Sequence, residues 1–130
     1  MSEITVVMPN YNGMKYLAEC MTSLCREQQN APGYEVLIID NASADESVEY
    51  LEKEWCGEGV RLISLPENTG FCHAVNLGIR EAKTPYVILL NNDTKAEAGF
   101  VRGLYDAIRE NEKIFSVSAK MLMWDRPELI

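Results

Sequence analysis

The feature that most constrains this chain is a pattern met four times: a short, β-rich apolar run that stops abruptly at polar residues. Tyr86-Val87-Ile88-Leu89-Leu90 is the plainest case, leading straight into Asn91-Asn92-Asp93-Thr94. Ile4-Thr5-Val6-Val7-Met8 leads into Pro9-Asn10-Tyr11-Asn12-Gly13, and Tyr34-Glu35-Val36-Leu37-Ile38-Ile39-Asp40 leads into Asn41-Ala42-Ser43-Ala44-Asp45. The run from Val60 to Leu65 precedes Pro66-Glu67-Asn68-Thr69-Gly70. Runs this short with little polar alternation suit strands of a parallel sheet covered on both faces.

Between the runs the periodicity changes to that of helices. Leu17, Met21, Leu24 and Cys25 predict a helix over residues 14–28, closed by Asn30-Ala31-Pro32-Gly33. Ser43 with Glu46 three residues on reads as a capping box for a helix over 44–55. A third helix follows Gly70, carries Ala74, Leu77, Gly78 and Ala82, and stops at Thr84-Pro85. A fourth is expected over 96–111, and a fifth extended run over 114–123, before Asp125-Arg126-Pro127. This alternation predicts an α/β domain: a Rossmann-like, three-layer α/β/α arrangement with a mainly parallel sheet and right-handed crossovers. On such sheets ligands bind beyond the carboxyl ends of the strands, where strand order reverses. The loops at 10–13, 41–45 and 91–94 would share that edge.

Bulk properties narrow the function classes. The 130 residues suit one domain spanning 1–130. No apolar stretch reaches 18 residues, and the first twenty residues carry Glu3, Asn10, Asn12 and Lys15, so neither a membrane span nor a signal peptide is expected. A net charge of −8 without a Lys/Arg run repels a polyanion, which excludes binding along nucleic acid. A single nucleotide bridged by a divalent cation remains compatible. Cys20, Cys25, Cys56 and Cys72 form no CxxC pair and His73 is the lone histidine, so reduced structural thiols and a cytoplasmic location are expected rather than a zinc site.

The polar loops offer what a sugar nucleotide requires. Tyr11 can stack on a base, or pack over the sheet end. Asp40 and Asn41 can bond a base or ribose, or close a turn on their own backbone. Asp93 can hold Mg²⁺ or Mn²⁺ with phosphate and water, or cap the following helix. Gly70 permits a tight turn, and the helix start after it suits phosphate. Neither GxGxxG nor GxxxxGK[ST] is present. His73 reads as a surface or packing residue, and Met121, Met123 and Trp124 as core or edge packing.

Taken together, the segments 6–13, 40–45, 68–71 with Ala74 and Asn76-Leu77-Gly78, and 89–94 resemble family 2 glycosyltransferases, in particular a rhamnosyltransferase-like branch. The resemblance runs from Ile4 to Pro127. It implies a GT-A fold whose first half binds the donor. Asn91-Asn92-Asp93 matches the acidic metal motif, with Asp93 as metal ligand and Asn91 in place of the first acid. Pro9, Tyr11, Asn12, Asp40, Asn41, Gly70, Asn76, Asn91 and Asn92 then belong to the nucleotide-sugar site. Asn41 replaces a second acid that many members carry, so the implied donor is a UDP- or a dTDP-sugar, including dTDP-rhamnose.

The resemblance places the acceptor-binding half, with its carboxylate base, beyond residue 130; no catalytic residue is assigned within this chain. The implied acceptor is a glycan or a lipid-linked precursor of a cell-surface polysaccharide, at the inner face of the membrane. A non-catalytic nucleotide-sugar-binding or scaffold module is the alternative. A nucleotidyltransferase is disfavoured, because the first loop lacks the glycine-rich basic character it would need. Apolar surface near the C-terminus also suggests a homodimer.

Overall fold

The computed structural model describes residues 2–126; Pro127, which closes the sequence pattern, lies outside them. The elements run β1 (Ile4–Asn10), α1 (Met14–Cys25), β2 (Tyr34–Asp40), α2 (Ser47–Glu54), β3 (Val60–Ser64), α3 (Phe71–Glu81), β4 (Tyr86–Leu89) and α4 (Phe100–Arg109). The four strands form one sheet in the order β3-β2-β1-β4, every pair parallel. The chain winds outward from β1 through β2 to β3 and then returns to place β4 on the other side of β1. The reversal in strand order therefore lies between β1 and β4.

Alternation along the strands distributes the core over two faces. Ile4, Val6, Met8, Val36 and Ile38 meet Leu17, Met21 and Leu24 of α1, Leu51 of α2 and Val101 of α4. Leu37 and Ile39 point the other way and meet Ala74 of α3. At about 25 cal/mol per Å² of apolar surface, each fully buried Leu or Ile contributes on the order of 2 kcal/mol. α3 lies close against the sheet because Gly78 has no side chain; a Cβ there would stand 2.2 Å from Val7 Cγ1. A methyl would lift the helix off β1.

Several expected boundaries shift, each for a local reason. The helix expected over 44–55 begins at Ser47, and Glu46 in the cap position makes no side-chain cap. Ser43 is unavailable for a capping box because its oxygen already accepts from the Asn12 amide at 2.8 Å and from Asn10 Nδ2 at 3.3 Å. The first helix ends at Cys25, and Gln28 instead donates from Nε2 to the carbonyls of Ser23 and Glu97 at 3.1 and 2.7 Å. The last helix starts at Phe100 rather than 96, since the amide of Ala96 is taken by Ser23 Oγ at 3.0 Å. Asp93 lies seven residues before that helix and does not cap it.

The run at 114–123 is extended in composition but forms no strand. It pairs with no strand among the described residues, and an isolated extended segment has no ladder to stabilise it. Met121, Met123 and Trp124 are exposed rather than core. Phe115 is 96% exposed, so this segment contributes little to the core.

Candidate functional site

The polar loops do converge. Parallel register puts the ends of β1 and β2 level, with Asn10 opposite Asp40, and β4 delivers residues 90–94 on the far side of β1. Asn10 and Asp40, the last residues of their strands, are both buried, as is Asn41. Buried polar groups must be paired, and these are.

Asp40 accepts three hydrogen bonds. Its Oδ1 takes Asn10 Nδ2 at 2.8 Å and Ser43 Oγ at 2.7 Å, and its Oδ2 takes the Ser43 amide at 2.9 Å. Its carboxylate closes the β2 turn and binds it to β1. Asn41 spans to the loop before α3: Oδ1 accepts from the Thr69 amide at 2.9 Å and its hydroxyl at 3.1 Å, while Nδ2 donates to the Gly70 carbonyl at 2.9 Å. Gly70 sits at φ 90°, a conformation that disfavours any side chain.

Asn12 locks the first loop onto the second. Its φ of 50° is one that asparagine tolerates, and its Oδ1 accepts from the amides of Ala44 and Asp45 at 2.7 and 3.3 Å. Its own amide donates to Ser43 Oγ at 2.8 Å. Asp45 accepts from the amide of Met14, the first residue of α1, at 3.0 Å and from that of Ser47, the first of α2, at 2.9 Å. Slight burial pushes the Asp45 carboxyl up, but hydrogen bonds from Ser47 and from the Met14 amide outweigh it and hold the group below its ordinary range.

The loop after β4 differs. Asn92 turns inward and donates from Nδ2 to Asn10 Oδ1 at 2.5 Å. Its neighbours Asn91 and Asp93 are exposed, and their side chains make no hydrogen bond or ion pair among the described residues. The loop is supported from beneath by Cys20 of α1, whose thiol lies 3.9 Å from the Asn91 carbonyl and 3.8 Å from Thr94 Oγ1. Burial raises Cys20 and pushes Cys25 up to about 11, so both stay protonated and act as small packing groups.

A divalent cation fits this loop in a particular way. The free donors at its tip are oxygens, the Asp93 carboxylate and the Asn91 amide carbonyl, which suits Mg²⁺ or Mn²⁺. Among the described residues no three His, Cys, Asp or Glu side chains converge into a cage. The donor set therefore suits a cation carried largely by phosphate and water and anchored through one carboxylate.

Of the remaining expected residues, Pro9 is half-buried within β1, and Tyr11 is 53% exposed at the loop tip with its ring open to a ligand. Asn76 and His73 are exposed on α3. Ser43, Asp45 and Asn10 hold the loops together and are not among the site residues expected from the sequence, where Ser43 reads only as a helix cap. Asn10 carried one available signal: it is a polar residue at the end of an otherwise apolar strand.

Residues 5–122 match the family model described as glycosyl transferase family 2. The chain belongs to this family. Glycosyltransferase GlyG of Streptococcus pneumoniae is 31% identical over 114 residues, covering 86% of this chain and 37% of that protein. The teichoic acid poly(glycerol phosphate) polymerase of Staphylococcus epidermidis is 30% identical over 96 residues, covering 72% of this chain and 13% of that protein. Among solved structures, S. aureus TarS in complex with UDP-GlcNAc superposes with a TM-score of 0.75 at 21% identity, over 97% of this chain and 39% of that one. The mannosyltransferase PcManGT from Pyrobaculum calidifontis, in complex with GDP-Man and Mn²⁺, gives 0.73 at 23% identity, over 83% and 32%. These likenesses establish the GT-A fold of this family 2 domain. The chain spans well under half the length of each of these relatives.

Proposed function

We propose that this family 2 chain is the donor-binding half of a glycosyltransferase, holding a nucleoside-diphosphate sugar with Mg²⁺ or Mn²⁺ at the carboxyl edge of β1, β2 and β4. The observation that carries the reading is the division of labour at that edge. A braced pair of loops presents the exposed ring of Tyr11 on one side of the strand-order reversal, and Asn91 and Asp93 stand free on the other. A base, ribose and pyrophosphate laid across that line would meet aromatic surface, polar loop and metal in turn.

The base is uracil or thymine in this reading. The complex of TarS with UDP-GlcNAc supports uracil, and thymine, which differs only by a ring methyl and keeps the same hydrogen-bonding edge, stays within the proposal. None of the relatives cited above carries rhamnosyltransferase in its name, so the sugar is assigned only as a hexose-type donor. The acceptor is a cell-surface polymer or its lipid-linked precursor, an assignment supported by the teichoic acid relative, and the reaction belongs at the cytoplasmic face of the membrane. Exposed Phe115, Met121 and Trp124 support self-association, which light scattering would detect as a dimer mass.

Calorimetric titration with UDP and with dTDP, each with and without Mn²⁺, tests the site. Binding strengthened by Mn²⁺ and lost in Asp93→Ala is the expected result. Nucleotide affinity indifferent to both metal and Asp93 would favour a module that binds or scaffolds without a transferase metal site.

A further inference from the structure

We propose that Asn10 is a positioning residue, and that residue 13 is glycine so that Asn10 can act: together they set where Asn91 and Asp93 stand relative to the loops after β1 and β2. The inference rests on the donor-site reading above. Asn10 is 1% exposed, so its amide serves the protein's own groups. Its Nδ2 reaches Asp40 Oδ1 at 2.8 Å and Ser43 Oγ at 3.3 Å, and its Oδ1 receives Asn92 Nδ2. One side chain thus joins the tips of three strands. Among the described residues, the Asn92–Asn10 bond is the one side-chain hydrogen bond that ties the loop after β4 to the loops after β1 and β2.

Gly13 reveals how tightly that bond is framed. Its φ of −95° and ψ of 15° are open to any residue, so conformation does not demand glycine there. Space does. A Cβ would lie 2.0 Å from Asn92 Nδ2 and 2.3 Å from Asn10 Oδ1, directly on the donor and acceptor of the bond. Because Asn92 sits between Asn91 and Asp93, pinning its side chain inward fixes the backbone from which both neighbours project.

The test compares wild type with Gly13→Ala, Asn92→Ala and the Gly13→Ala/Asn92→Ala double variant. It uses thermal melting and titration with UDP or dTDP, whichever binds wild type, with and without Mn²⁺. Gly13→Ala should melt lower and lose about tenfold from the ratio of affinities with and without Mn²⁺, as displaced supporting groups of metal sites do. Its metal-free nucleotide affinity should stay within about twofold of wild type. Removing the Asn92 side chain clears the 2.0 Å contact and lets the released Asn10 amide shift away from the methyl, which would otherwise lie 2.3 Å from its Oδ1, so the double variant should recover part of its melting temperature while the ratio stays low. Asn92→Ala, which introduces no clash, should show the same lowered ratio if the methyl alone prevents folding. A ratio that recovers together with melting, or that never falls, overturns the proposal while leaving the donor site standing. Wild type without Mn²⁺-dependent binding overturns both.

Discussion

The loops after β1 and β2 and the loop after β4 meet at one edge, yet they are built on opposite plans. In the first pair nearly every polar side chain is spent on the protein: Asp40 accepts three bonds, Asn41 makes three and Asn12 holds two amides. In the loop after β4 Asn92 and Thr94 are spent, whereas Asn91 and Asp93 face solvent. Substituting the committed side chains Asp40, Asn41 and Asn12 should therefore damage the fold, and substituting Asn91 or Asp93 should damage ligand binding alone. A braced surface can receive a base without ordering cost, while a cation whose coordination is completed by phosphate needs ligands that are not already committed.

The sharpest way to break this contrast is Asp93→Ala. It should cost roughly 100-fold or more of the metal-supported nucleotide affinity in titration, with an unchanged melting temperature because the side chain has no internal partner. A lowered melting point would show the β4 loop to be structural as well. Asp40→Ala should do the reverse: three donors lose their acceptor, and denaturant titration should show a loss of about 3 kcal/mol. Asn41→Asp is the finer probe, since it keeps the acceptor for Thr69 but cannot donate to Gly70. It should cost about 2 kcal/mol and loosen the start of α3, visible as faster amide exchange near Phe71.

The smallest effect concerns acid. Asp45 titrates below its ordinary value of 3.8, so its contribution is complete above that pH and is lost as pH falls through the depressed folded value. Asp45→Asn should flatten the part of the acid-unfolding curve below pH 3.8 and slightly lower stability at neutral pH, because one amide oxygen cannot serve both the Met14 and the Ser47 amide.

Much of this architecture could be read in one dimension. The four runs announced strands because apolar residues on both faces can be buried only in a covered sheet, and their polar ends announced a shared polar edge because parallel connections bring strand termini together. The run at 114–123 misled because extended composition does not guarantee a partner strand. Ser43 misled because a local capping signal competed with a distant one: its hydroxyl bonds Asp40 while also receiving the Asn12 amide from across the site.

The chain's pattern of residues by itself determined the α/β class, the parallel strands and the polar segments that meet at one edge of the sheet, since those follow from periodicity and chain connectivity. Only the tertiary structure decided which polar side chains were left for a ligand. Asn91, Asn92 and Asp93 are consecutive in sequence, yet Asn92 is taken by Asn10, 82 residues away, in a gap that exists because Gly13 lacks a side chain. Hydrogen bonding is short-ranged and directional, so whether a group is committed or free depends on what the fold brings within about 3 Å of it.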